Sequence, residues 1–376
     1  MSSLGGYASM VENIESCTPR DVMSVTSDGV CGKVSDALLT AYEKTSYHYA
    51  RVEQLILALI DQQRAGLEHC LTEVAPQRVA VIIGTTAGGI AEAESTRRPG
   101  HVFDSGYDFR FQRLGYAARF TAATLGAEGL VTGVSTACTS GARAIGLGMR
   151  WLALEWCDLA IVGGVDASCR MTSQGFASLE AVSPGYCRPF DIERDGINLG
   201  EGGALLALSR CSPEDSGVVL AGYGESIDAW HISAPHPEGD GIARAMRSAL
   251  AMAGYQPSEV GYVNMHGTGT LHNDIMEAKA VIDVLGAAVP VSSTKPMTGH
   301  TLGAAGALEA AICYALLQGD LEALPIQHGM QTQDSQFEQL QVITEASRRL
   351  NEPVVMSNSC GFGGHNTCLV LALRAN

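Results

Sequence analysis

Short unbroken apolar runs alternate with amphipathic stretches along most of the chain, and most runs end in glycine or a small polar residue. Residues 78–84 (RVAVIIG), 158–165 (DLAIVGGV), 203–208, 218–222, 260–265, 289–294, 353–356 and 367–373 are runs of this kind. Many of their residues are β-branched, and the runs are too short for helices, which predicts strands buried on both faces. Leu55, Ile56, Leu57, Leu59 and Ile60 lie on the broad apolar face of a helix predicted over 47–71. Ile242, Met246 and Leu250 recur at helical spacing in 239–254, with Gly254 as the stop. Asn273 and Asp274 are expected to cap a helix reaching about residue 285, and a further helix is predicted over 302–317.

Three regions break this rhythm. Residues 1–45 give a weak signal, 85–120 read as loop with short helices, and 188–203 (RPFDIERDGINLGEGG) form a turn-rich loop with charges at fixed places. A polar stretch, 209–217 (SRCSPEDSG), is the best linker and divides the chain into halves, 1–210 and 218–376.

The halves rhyme. GVSTACTSGARAIGLGM, from 133, and VSSTKPMTGHTLGAAGALEA, from 291, both run from strand through Ser-Thr and a turn into a helix of small residues. That pattern predicts an α/β protein made of two similar βαβ-rich units. In the first unit the turn carries Cys138. A cysteine between strand and helix sits in the field of unpaired N–H groups, which favours thiolate and makes Cys138 a candidate nucleophile. The interior glycines of the helix cost roughly 1 kcal/mol each relative to Ala, so something must come close to it. Free cysteine also fills cores, and this segment alone leaves both readings open. His266, directly after a strand, and His300, directly before a helix, occupy similar glycine-flanked junctions and strengthen the catalytic reading.

Composition narrows the partners. A net charge of −16 argues against nucleic acid. Arg97, Arg98, Arg110, Arg113 and Arg119 are the densest basic source for an acidic partner protein. The eleven cysteines include no C-x-x-C pair and no Cys/His cluster of zinc spacing, so reduced thiols and no metal are expected. There is no basic leader with an apolar core and no apolar run of about 18 residues, so a cytoplasmic protein without a membrane span is expected.

TACTSG around Cys138, HGTGT from His266 to Thr270, STKPMTGH ending at His300, RPFDIERDGINLGEG and the closing NSCGFGGHN together resemble the β-ketoacyl-[acyl-carrier-protein] synthases. The resemblance spans about residues 75 to 376 in unbroken order. It implies the thiolase fold, two duplicated halves layered αβαβα, and an elongating synthase that condenses malonyl-carrier protein with an acyl group held on Cys138. CRPFDIERDGINLGEG and ISAPHPEG further resemble synthases of aryl-polyene pigment clusters.

The resemblance assigns roles residue by residue. Cys138 is the nucleophile, and the N–H groups of Cys138 and Phe362 form the oxyanion hole. His266 and His300 stabilise the enolate. Lys295 holds the site together with Glu309 as its ion-pair partner, and Thr268 and Thr270 bind the phosphopantetheine arm. Phe362, among Gly361, Gly363 and Gly364, is a gate for the acyl chain. No cofactor is bound; phosphopantetheine arrives on acyl carrier protein, and the other expected partner is a second copy or a related ketosynthase or chain-length-factor subunit. Against the family pattern, an N-terminal strand ending in T-G-x-G is absent, Cys360 stands where an aromatic is common, and His365 where Thr or Asn is. Two alternatives remain. A non-catalytic chain-length factor usually lacks the nucleophile, and a degradative thiolase needs a second cysteine, for which Cys360 stands in a C-x-G-like context.

Overall fold

The computed structural model describes residues 1, 7–26, 29–39, 42, 49–98, 100, 102–104, 106–212 and 214–375. Its main elements are α1 (Arg51–Gln62), α2 (Arg64–Thr72), β1 (Val79–Gly84), α3 (Tyr116–Leu125), β2 (Val131–Val134), α4 (Ser140–Ala153), β3 (Leu159–Asp166), α5 (Arg170–Ser178) and β4 (Gly202–Ser209). After residues 210–216 come β5 (Gly217–Ile227), α6 (Asp240–Ala253), β6 (Tyr262–Asn264), α7 (Leu271–Leu285), β7 (Pro290–Ser292), α8 (Ala305–Gln318), β8 (Gln341–Val342), β9 (Val354–Gly361) and β10 (His365–Arg374).

Two mixed sheets carry the fold. The first has the order β2-β1-β3-β4, parallel except for β4; the second has the order β5-β10-β9-β6-β7-β8, in which β9, β6, β7 and β8 are parallel. Within the second, β7-β6-β9-β10 repeats the order, direction and chain sequence of β2-β1-β3-β4, with α8 placed as α4 is. The rhyme between the two small-residue helices is therefore a repeat of topology. Both helices lie between the sheets, α4 on β1 and β3, α8 on β9 and β10, and they touch each other. Their small residues permit the approach: a Cβ on Gly141 would stand 2.9 Å from the Gly303 carbonyl oxygen and 3.0 Å from Ala307 N. Helices α1 and α3 cover the outer face of the first sheet and α6 that of the second, with α7 packed on α6, which completes five αβαβα layers. Strand β1, buried at every position, and β3, likewise, form the parallel centre.

Some expectations shift. The helix predicted over 47–71 is two helices broken at Gln63, whose φ of −118° and ψ of 20° leave the helical region; Tyr47 and His48 lie outside the described residues. The run at 353–356 extends to Gly361, so the glycine loop before β10 shrinks to residues 362–364. Asn273 and Asp274 are not caps: α7 begins at Leu271, and the Asp274 carboxylate accepts instead from the N–H groups of Thr268, Gly269 and Phe190.

One edge differs between the repeats. Strand β10 is flanked on its outer side by β5, whereas the outer edge of β4 meets only Met1 among the described residues, through Gly203 N–H to Met1 O (2.8 Å) and the Met1 amine to Gly203 O (2.6 Å). Beside that edge runs a groove of about 540 Å³ lined by apolar side chains including Met10, Leu67, Leu206 and Leu308.

Candidate active site

Strand β2 delivers the chain to a tight turn over 135–139 that its own hydroxyls clamp. Ser140 Oγ accepts from Thr136 N (2.9 Å) and donates to Ala137 O (2.6 Å), and Thr139 Oγ1 donates to Thr136 O (2.7 Å). Within this clamp Ala137 holds a φ of +52°, a left-handed conformation that costs a non-glycine residue of order 1 kcal/mol or more. The turn sets Cys138 just ahead of α4, 6% exposed.

His300 comes from the matching turn of the second half. Its backbone is gripped by the charged loop of the first: His300 N–H donates to Asn198 O (2.7 Å), and Gly200 N–H to His300 O (2.9 Å). The family-like segment 188–202 thus aims a histidine that lies a hundred residues away. His300 Nε2 stands 2.9 Å from Cys138 Sγ. His266, released from β6, meets His300 edge to face, with ring centroids 5.2 Å apart at 82°. The Glu277 carboxylate fixes the His266 backbone by accepting from His266 N–H (2.7 Å) and Gly267 N–H (2.9 Å). One thiol and two imidazoles from distant segments share one place; their donor atoms all lie within 4.8 Å, a set a thiophilic ion could also bridge, which linear spacing did not reveal.

Burial governs the electrostatics. It pushes the Cys138 thiol up to about 12; Lys295 pulls it back, and Asp166 adds to the rise. The expected resting thiolate is therefore corrected: the turn offers N–H groups, but desolvation outweighs them and Cys138 rests as a thiol. Burial, then the nearby Lys295 charge, holds both His266 and His300 well below the ordinary 6.5, so each is neutral at pH 7. A neutral imidazole can take the thiol proton and can donate from its remaining N–H. Glu277 is raised by burial to about 7, against the pull of its backbone donors.

The pocket, about 360 Å³, is lined by Cys138, His266, His300, Thr268, Thr270 and Phe362, with Cys360 and Phe176 among the rest. Thr268 and Thr270 face each other, Oγ1 to Oγ1 at 2.9 Å. Phe362 is 37% exposed and packs against Phe176, centroids 5.4 Å apart. Ahead of it, Gly361 passes so close to the nucleophile turn that a Cβ would stand 3.2 Å from Cys138 N, which puts the backbones on either side of the expected oxyanion hole together. Lys295 and Glu309 do not line the pocket. Both are buried, Nζ 2.5 Å from Oε1, and Lys295 reaches the reacting groups through its field. His365 packs against Arg143, Nδ1 to Nη1 at 3.3 Å, outside the lining. Arg97, Arg113 and Arg119 are exposed, and Arg110 pairs with Asp108.

Sequence reasoning missed the buried carboxylate Glu277 and read Asp274 as a helix cap; both hold the HGTGT loop. Acidic residues within the helix that follows such a loop were the available signal.

The beta-ketoacyl synthase N-terminal domain matches residues 50–213 and the C-terminal domain residues 218–349. This chain belongs to the beta-ketoacyl synthases, with a thiolase-like fold. It is 36% identical over 318 residues to 3-oxoacyl-[acyl-carrier-protein] synthase 2 of Synechocystis, covering 80% of this chain and 76% of that protein. The Staphylococcus aureus protein of the same name is 40% identical over 260 residues, 65% of this chain, and the match spans 62% of that relative's length. Among solved structures, the ketosynthase ApeO in complex with its chain length factor ApeC from Xenorhabdus doucetiae superposes with a TM-score of 0.87 at 38% identity, covering 100% of this chain and 96% of that one.

Proposed function

We propose that this chain is an elongating β-ketoacyl-acyl-carrier-protein synthase. The observation that carries this reading is the meeting of Cys138 with His300 and His266 in one buried pocket. Cys138 Sγ attacks the carbonyl carbon of an acyl thioester while His300 receives the thiol proton; the acyl–sulfur bond to the carrier breaks, and the carrier thiol leaves with a proton. Malonyl-carrier protein then loses CO2, and the electron pair of the broken C–C bond becomes an enolate. Its oxygen is stabilised by N–H donation from His266 and His300, and its carbon attacks the acyl-Cys138 carbonyl. The tetrahedral oxyanion rests on the N–H groups of Cys138 and Phe362. Collapse expels the Cys138 sulfur, which takes a proton from solvent because its own left with the first carrier thiol, and releases β-ketoacyl-carrier protein; one proton is consumed per turnover.

Lys295, neutralised in part by Glu309, supplies the positive field that eases loss of the thiol proton. The phosphopantetheine arm of the carrier passes Thr268 and Thr270, and Phe362 yields to admit the acyl chain. The names of the relatives support acyl carrier protein as partner, and the ApeO–ApeC complex supports pairing with a chain-length-factor subunit rather than only with a second copy. Together with the CRPFDIERDGINLGEG and ISAPHPEG segments, that neighbour favours an aryl-polyene type of product. The carrier-bound chains are worked on in the cytoplasm, and no described helix is long and apolar enough to cross a membrane.

Mass spectrometry of the Cys138 peptide after incubation with a panel of acyl-carrier proteins tests the reading; an acyl adduct is the expected result, and no adduct from any donor would remove it. The degradative thiolase reading keeps one observation, since Cys360 also lines the pocket. Burial raises that thiol well above 9, with Glu277 and Asp228 adding to the rise. Condensation that survives Cys360→Ala excludes it.

A further inference from the structure

Among the described residues, only six outside glycine hold a positive φ, and two flank the reacting groups: Ala137 (+52°), directly before Cys138, and Leu302 (+51°), two residues after His300. A single buried carboxylate connects the two turns. Asp166 ends β3, 1% exposed. Its Oδ1 accepts from Thr85 Oγ1 (2.7 Å), Thr86 N (3.0 Å) and Ala87 N (2.8 Å), and its Oδ2 from Thr86 N (2.8 Å) and Gly303 N (2.7 Å). Gly303 follows Leu302, so that bond closes the histidine turn. Thr86 Oγ1 donates to Ala137 O (3.3 Å), so the same group reaches the nucleophile turn through one residue.

We propose that Asp166 is a positioning residue for the Cys138–His300 pair, tying the strained turn of each half into one unit across the boundary between the repeats. Every group it meets in these bonds is a donor, so the ionised carboxylate satisfies all of them, whereas an amide would turn an NH2 toward an N–H. Left-handed residues persist only where their surroundings over-determine them, and here one side chain supplies restraint to both. Asp166 touches neither sulfur nor imidazole in any of these bonds. The inference rests on the synthase reading for its consequence in turnover, but its geometry is independent of the substrate.

The test compares wild type with Asp166→Asn and Thr86→Val by melting temperature, by the pH dependence of Cys138 alkylation with iodoacetamide, and by the rate of acyl transfer and condensation. Cys138 ionisation answers to Lys295, which favours it, and to Asp166 and Glu309, which oppose it; His266 and His300 are neutral. Removing the Asp166 charge should therefore move the alkylation midpoint to lower pH while kcat falls about tenfold with KM nearly unchanged. Thr86→Val keeps that charge, so its midpoint should stay while acyl transfer slows about threefold. A folded Asp166→Asn protein with wild-type midpoint and kcat would overturn the proposal. If Asp166→Asn does not fold, Thr86→Val decides: wild-type acyl transfer in that variant overturns it as well. Should wild type accept no acyl group at all, the synthase reading fails, and the alkylation rates of both variants still decide whether Asp166 organises the thiol.

Discussion

The turn that carries Cys138 and the turn that carries His300 occupy equivalent places in the two repeats, each between a parallel strand and a central small-residue helix. They differ in what restrains them. The cysteine turn is clamped from within, by the hydroxyls of Thr139 and Ser140 on neighbouring carbonyl and N–H groups. The histidine turn has a hydroxyl clamp of its own, Thr298 Oγ1 on Gly299 O (2.7 Å), and is held from outside as well, by Asn198 and Gly200 of the first half. Of these two similar junctions, the one around the proposed nucleophile is held by its own half, Thr86 included, while the one around the proposed proton acceptor also depends on its sister. The candidate reacting side chains are divided between the halves, while their support is shared.

The comparison can be broken most severely at the nucleophile. Cys138→Ala should lower turnover on the order of 10^5-fold or more, measured by product formation with malonyl- and acyl-carrier protein. The next largest effect falls on the buried pair behind the histidine turn. Lys295→Met strands Glu309 at 3% exposure without a countercharge and should cost about 3–5 kcal/mol of stability in urea unfolding; a loss within 1 kcal/mol would show that the pair is neutral in net effect. Replacing His266 or His300 by Ala should slow condensation by about 10^2- to 10^3-fold, the cost of a lost oxyanion donor. Single-turnover measurements should show acyl transfer hurt less by His266→Ala than by His300→Ala, because only His300 is within reach of the sulfur.

Acid sharpens the same contrast more gently. His266 and His300 are held below 6.5 in the native protein, so the unfolded chain binds more protons as pH drops through 6.5. Their contribution is present above that value and is lost below it, by about 1.4 kcal/mol per pH unit for each. Glu277 acts with the opposite sign: it keeps its proton up to about 7, whereas the unfolded residue releases it near 4.5, so its contribution falls as pH rises between the two. Equilibrium unfolding between about pH 7 and 5 should show His300→Asn losing less stability than wild type on acidification, and Glu277→Gln losing more. Smallest in stability is Phe362→Ala. A change within about 1 kcal/mol is expected for a partly exposed ring, yet the distribution of acyl chain lengths should shift; an unchanged distribution would argue against a gate.

Much of this was legible before coordinates. The strands could be read because β1 and β3 are buried on both faces and need continuous apolar residues, and the junction residues Cys138, His266 and His300 stood out because glycine and small polar residues surround them. The protonation state of Cys138 was not legible, since a turn with free N–H groups looks activating until the depth of burial is known. Asp274 read as a helix cap because local pattern shows only that an acid lies near a helix start, not that its carboxylate folds back on residues 268 and 269. Asp166 was invisible for the same reason: in GGVDAS it looks like a turn residue, and its donors at 85–87 and 303 are joined to it only by the topology.

The grip of Asn198 and Gly200 on His300 also bears on how the protein comes into being. As the chain leaves the ribosome, Cys138 emerges more than a hundred and sixty residues ahead of its imidazole partner, and the loop that will aim that partner waits with nothing to hold. A nascent first half therefore carries Cys138 without its imidazole, and under the proposed synthase reading the pair is complete only once the later half has docked.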